Sequence, residues 1–292
     1  MAATPGSGAG KGLFGIIALG IILVLMGIPF VGMTVMIFSL VSRNPLRGLP
    51  VAMGTLLVTF LLTDFTGALI AATGAGAASL LILKGRSLRY SAAAASAATA
   101  IAAMISVVLL TQQSVVSREN MEALIELYSS AGMKTADIMT AMNLLIYVLP
   151  SVMAIWAAAG VIISVAAARL VGKRRGTWPE IASGAKIQLG IPAAWILIAA
   201  LGVNLLGGSL PAGARQAAVN VSIFMILPYS LVGLAVWRSL VSLYPHLLLF
   251  AVFAGVVFPP VALGLLFVTG VLDTWFDFRK KIANHMERKK NK

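Results

Sequence analysis

Four polar side chains interrupt or flank the long apolar runs of this 292-residue chain: Asp64, Asn143, Asn204 and Asn220. Asp64 lies in LLTDFTG between two apolar stretches, at the expected outer surface. The three asparagines fall in or near apolar segments, and Asn204 and Asn220 flank one outer loop across which they could face each other. A polar group in hydrocarbon is costly when unpaired. Each therefore either hydrogen-bonds a neighbouring helix or binds a small polar substrate, and both readings stand for all four.

A second concentration of polar chemistry closes the apolar region, in the stretch VLDTWFDFRKKI from Val271 to Ile282. Trp275, Phe276 and Phe278 suit the headgroup layer, where amphipathic rings anchor a helix end. Asp277 and Lys281 stand four apart in the favourable acid-first order for a helix. Asp273 has no base at that spacing and is expected to pair with a base from a neighbouring loop, such as Arg43 or Arg86. Together Asp273, Trp275, Asp277, Arg279 and Lys281 read as an interfacial anchor.

Reactive constellations are missing. His246 and His285 belong to no H-E-x-x-H pattern, and no G-x-S-x-G is present. No apolar segment pairs two carboxylates for acid–base work. The absence of cysteine excludes disulfides and thiolate metal sites. PGSGAGKG near the start fails as a phosphate loop, because Pro5 replaces the first glycine and Gly12 follows Lys11. No enzyme, metal or cofactor is expected.

The elements that must carry these residues follow from composition. Hydrophobic residues make up 60% of the chain and charged residues 11%, with a mean hydropathy of +0.98. A soluble fold carries about 25% charged residues, so this chain has too little polar surface for one. Leu13–Val41, Ser91–Leu110 and Leu247–Leu272 hold no charge, and a span needs roughly 20 apolar residues. The fold class is all-α, a polytopic transmembrane bundle. A β-barrel would need short alternating segments.

Breaks in hydropathy place spans near 13–28, 30–41, 48–62, 65–83, 91–110, 142–168, 191–206 and 217–237, with one or two more in 239–276. Pro29 and the Pro259-Pro260 pair mark the expected breaks in the first and last regions. Basic clusters at Arg43/Arg47, Lys84/Arg86/Arg89, Arg169/Lys173/Arg174/Arg175 and from Arg279 onward share one side if both regions are broken pairs. The expectation is about eight to ten segments, with ten placing both termini in the cytoplasm of a bacterial cell.

Residues 1–12 read as a flexible tail, 13–278 as one transmembrane domain and 279–292 as a basic cytoplasmic tail. That tail holds seven Lys/Arg against one Glu. It suits acidic lipid or a simple topology anchor, and nucleic acid is not its favoured partner. Four of the nine acids fall in one loop, Glu119, Glu122, Glu126 and Asp137. There Ser117 as N-cap, an apolar stripe at helical spacing and Gly132 as a stop predict a short amphipathic helix near 117–131, either a solvated connector or a lid. Gly67/Ala71, Ala68/Ala72 and Ala94/Ala98 are small-residue pairs four apart. They fit close packing within the bundle or docking of a membrane partner subunit.

Five stretches, GIPFVG (27–32), NPLRGLPVAMGTLL (44–57), LIYVLPSVMAI (145–155), IQLGIPAAWILIAAL (187–201) and GVLDTWFDFRKKI (270–282), together resemble the YybS-like family of bacterial membrane proteins, a domain family without an assigned function. That family is similar in its N-terminal half, here about 13–170, to substrate-binding components of energy-coupling-factor vitamin transporters. The resemblance implies a helical bundle that binds one small molecule while a partner complex hydrolyses ATP. The first span here lacks the A-x-x-x-A pattern by which those components dock their partner. The alternative expectation is a non-transporting membrane scaffold.

Overall fold

The structure is a computed structural model that describes residues 27–41, 45–112, 118–130, 132–179, 189–206 and 209–290. Eleven helices occur among them, and no strand. They are α1 (Gly27–Val41), α2 (Pro45–Leu62), α3 (Phe65–Leu83), α4 (Leu88–Gln112), α5 (Arg118–Ser130) and α6 (Thr135–Arg174). The rest are α7 (Ile191–Leu205), α8 (Ala212–Leu243), α9 (Leu247–Val257), α10 (Pro259–Phe276) and α11 (Phe278–Lys290). The all-α expectation holds. Residues 13–26 of the first expected segment, the Ser117 cap and Arg43 lie outside the described residues.

Five helices are long and apolar enough to cross a membrane: α3, α4, α6, α8 and α10; α1, α2 and α7 are shorter and apolar. Large apolar side chains on their outer faces are exposed, among them Leu61, Ile105, Ile163 and Val268. In water such surface would drive aggregation, whereas in lipid it is the solvated face. The chain is an integral, multi-pass membrane protein.

Helix limits follow local chemistry. Asp64 caps α3, its carboxylate accepting from the Gly67 N–H at 2.7 Å. The short amphipathic helix forms as α5, and Gly132 stops it at φ +90. There the Met133 N–H reaches back to the Tyr128 carbonyl and satisfies an end group of the helix. The break at Pro259-Pro260 is present: α9 stops at Val257, and the two prolines open α10, where a missing N–H removes no helix bond. Pro29, expected to divide two spans, lies in the described helix Gly27–Val41, and the span expected before it lies outside the described residues.

α6 departs most from expectation. The apolar run predicted 142–168, yet the helix is continuous over 40 residues, Thr135–Arg174, and passes through Pro150. At 1.5 Å per residue that is about 60 Å, twice the roughly 30 Å of a hydrocarbon core.

The chain forms two compact units: Met1–Ser106 with Trp156–Ala185, and Val107–Ile155 with Lys186–Lys292. In the first, small residues let helices approach closely. Ala71, Ala75, Ala78, Ala95, Ala103 and Ala157 are buried, and the Phe30 ring occupies the space beside Gly160. The Ser96 hydroxyl donates to the Ala158 carbonyl at 3.1 Å, and the Ser164 hydroxyl to the Phe30 carbonyl at 3.0 Å. Ala68 and Ala71 are buried in this interior, whereas Ala72 is half-buried and Gly67 lies against Thr63 and Asp64 at the start of its own helix.

In the second unit α7, α10 and α11 all pack against α8. The α8–α10 crossing is closest at Gly233 and Gly270. A Cβ at Gly233 would strike the Leu266 carbonyl, and one at Gly270 the Tyr229 carbonyl. Glycine is required there because backbone meets backbone.

Candidate functional site

The four predicted site residues fall in two units. Asp64 belongs to the first unit, and its carboxylate is engaged as the α3 cap. Asn143 is exposed on α6. Asn204 and Asn220 belong to the second unit but do not hydrogen-bond to each other. Helical geometry explains the last point, since each asparagine reaches a different neighbour: Asn204 on α7 reaches Ser222, and Asn220 on α8 reaches α6.

The Asn220 contacts centre on Pro150. Proline lacks the N–H that a mid-helix position donates, and its ring crowds the preceding turn. In lipid no water can satisfy the groups this disturbs. Asn220, 4% exposed, brings its carboxamide to the spot. Its Oδ1 accepts from the Ser151 N–H at 2.8 Å, and its Nδ2 donates to the Tyr147 carbonyl at 2.8 Å. Residues 147 and 151 are the i, i+4 pair that bond to each other in an unbroken helix. The second Nδ2 proton goes to the Gln216 carbonyl at 2.8 Å, and Gln216 Nε2 also points at the Tyr147 carbonyl, at 3.4 Å. Asn220 is thereby fully committed: both amide protons and an acceptor lone pair serve backbone. It acts as a clamp on α6.

Asn204 differs. Its Nδ2 donates to the Ser222 hydroxyl at 3.2 Å, while its Oδ1 is buried without a hydrogen-bond partner. A buried acceptor left unmade costs about 1–3 kcal/mol. Ser222 lies two residues beyond Asn220 on α8, so the Asn204 amide on α7 meets the helix that carries the clamp.

The second polar site is the corner between α10 and α11. Asp273 is 4% exposed, and where a base from a neighbouring loop was expected the structure gives it Arg279, six residues on; the candidate Arg43 lies outside the described residues. Arg279 Nε and Nη2 both lie 2.8 Å from Asp273 Oδ2, and the Arg279 backbone N–H donates to Oδ1 at 3.4 Å. Six residues is the wrong spacing on one helix. It works here because Asp277 adopts the left-handed conformation, φ 49, and divides α10 from α11. Aspartate is among the few residues that tolerate it.

Asp277 also opens α11, its carbonyl accepting from the Lys281 N–H at 3.2 Å, yet the expected Asp277–Lys281 side-chain pair does not form. Lys281 Nζ instead sits 5.8 Å from the Phe276 ring centroid, over its face. Phe276 stacks on Phe278 with centroids 5.6 Å apart. Trp275 is exposed beside them.

Sequence reasoning missed Pro150, Ser151, Tyr147, Gln216 and Ser222. A proline inside an apolar stretch signals disturbed backbone groups, and a nearby helix bearing Gln and Asn four apart is a means of satisfying them. Among the described residues no cluster of His, Asp or Glu is arranged to hold a metal ion.

Fold and site together define a polytopic α-helical integral membrane protein. Comparison with protein-family models, with curated proteins and with solved structures finds no match.

Proposed function

We propose that this chain is the small-molecule-binding component of a membrane transporter, in keeping with the resemblance of its sequence to substrate-binding components of energy-coupling-factor systems. The observation that carries the reading is the buried, unpartnered Asn204 Oδ1 beside Ser222. The Asn220 carboxamide, by contrast, spends both amide protons and its oxygen on backbone groups. An acceptor held out of water and unused is what a ligand with one N–H or O–H donor on an apolar body would complete. The role is binding and not catalysis.

The test uses native purification of wild type and Asn204→Leu, with mass spectrometry of what each retains. Wild type should carry a small molecule that the variant lacks, while thermal unfolding of the ligand-free proteins stays similar. The same mass retained by both, or none retained by wild type, rejects the reading.

The proposal extends to location: the bacterial cytoplasmic membrane with both termini inside, supported by the sharing of Lys/Arg clusters on one side. Compartment-sensitive reporters fused to each terminus test it, and an external C-terminus overturns it.

A further inference from the structure

We infer that the α10–α11 corner is a docking site for the headgroup of an anionic phospholipid. Trp275 and Phe276 are exposed at the last turn of α10, where apolar surface gives way to charge. One turn further on, Lys280 and Lys281 are exposed on α11, and Lys281 is drawn to the Phe276 ring. The corner is held in place: the buried Asp273–Arg279 pair fixes the exit of α11, and Ile282 is buried where α11 packs on α8.

Arg279 answers Asp273, so its charge belongs to the fold. Among the described residues no carboxylate, that of Asp277 included, lies at ion-pair distance from Lys280 or Lys281. This leaves two cations and two aromatic rings on one short surface. Ammonium groups suit a phosphodiester and the rings suit the first carbons of an acyl chain, a combination that only lipid presents together. The sequence beyond adds Arg288, Lys289, Lys290 and Lys292 against Glu287, so the local charge strongly favours an anionic headgroup over a zwitterionic one. An acidic peptide would supply the charge but not the chain.

The experiment uses the full-length protein in vesicles of phosphatidylcholine mixed with phosphatidylglycerol, with the bromine label on the chains of one lipid or the other. Bromine quenches tryptophan at close range. The difference between wild type and Trp275→Phe isolates the Trp275 signal. At equal mole fraction, brominated phosphatidylglycerol should occupy this corner about fivefold more than brominated phosphatidylcholine, with the preference falling in high salt. Lys280→Gln/Lys281→Gln should abolish the preference while the protein elutes as wild type on size exclusion. Arg86→Gln, an exposed base in the other unit, should leave it intact. Equal quenching by both lipids, persistence in the double variant, or loss in Arg86→Gln overturns the proposal. If the double variant misfolds, high salt applied to wild type replaces it as the deciding measurement.

Discussion

The second unit has two polar junctions, one inside a continuous helix and one between two helices, and treats them in opposite ways. At Pro150, deep in α6, the disturbed backbone is met by a neutral carboxamide from a distant helix. At Asp277, where α10 ends, the chain is held by a full ion pair six residues apart. Dielectric accounts for the difference. A charge in the hydrocarbon is expensive, and an amide satisfies a donor and an acceptor without any. At the α10–α11 corner the guanidinium keeps 11% of its side-chain surface exposed, so part of its hydration survives.

The largest expected effect separates the two junctions by charge. Asp273→Asn leaves the Arg279 guanidinium without its counter-ion, and breaking a buried pair in this way costs about 3–5 kcal/mol. The yield of folded protein should collapse, and Arg279→Gln in the same chain should restore part of it. Normal expression with lost ligand binding would instead make Asp273 a functional group and end the comparison.

The clamp comes next. Asn220→Leu strands the Ser151 N–H and the Tyr147 carbonyl, at about 1–3 kcal/mol for each buried group. Thermal unfolding in detergent should fall well below wild type. Pro150→Ala should recover much of that loss, because alanine lets residues 147 and 151 bond within α6. A double-mutant cycle measures the coupling, and strict additivity of the two changes would refute the clamp.

Gly270→Ala tests whether both junctions depend on a close α8–α10 crossing. The new methyl meets the Tyr229 carbonyl, and overpacking of this kind costs about 1–3 kcal/mol. It should lower stability without the charge rescue that marks Asp273. The smallest effect is at Asp277. Asp277→Asn keeps a residue that tolerates the left-handed region, and the change should stay within about 1 kcal/mol by the same unfolding assay.

These junctions also show what the sequence could reveal. The Pro259-Pro260 break, the Gly132 stop and the Asp273 anchor rest on chemistry within one or two turns, which sequence displays directly. The loop helix and the apolar spans were legible for the same reason. The reach of α6 was not, because hydropathy marks what lipid covers and not where a helix ends. Nor was the clamp, since Ser151 and Asn220 are 69 residues apart and nothing local joins them. The Asp273 partner was hidden by a subtler cause: helical spacing points to positions three or four away, and only the left-handed Asp277 brings Arg279 within reach.

That separation of 69 residues has a consequence for how the protein is made. During synthesis at about 5–20 residues per second, Pro150 is complete roughly 3–14 seconds before Asn220 exists. Through that interval α6 enters the insertion machinery with its weak point unmended, and the nascent helix can bend or slip there. The Asp273–Arg279 pair, by contrast, is complete within a second or so of its first residue by the same rate. One junction is sealed as it is born; the other must wait for a later helix to arrive.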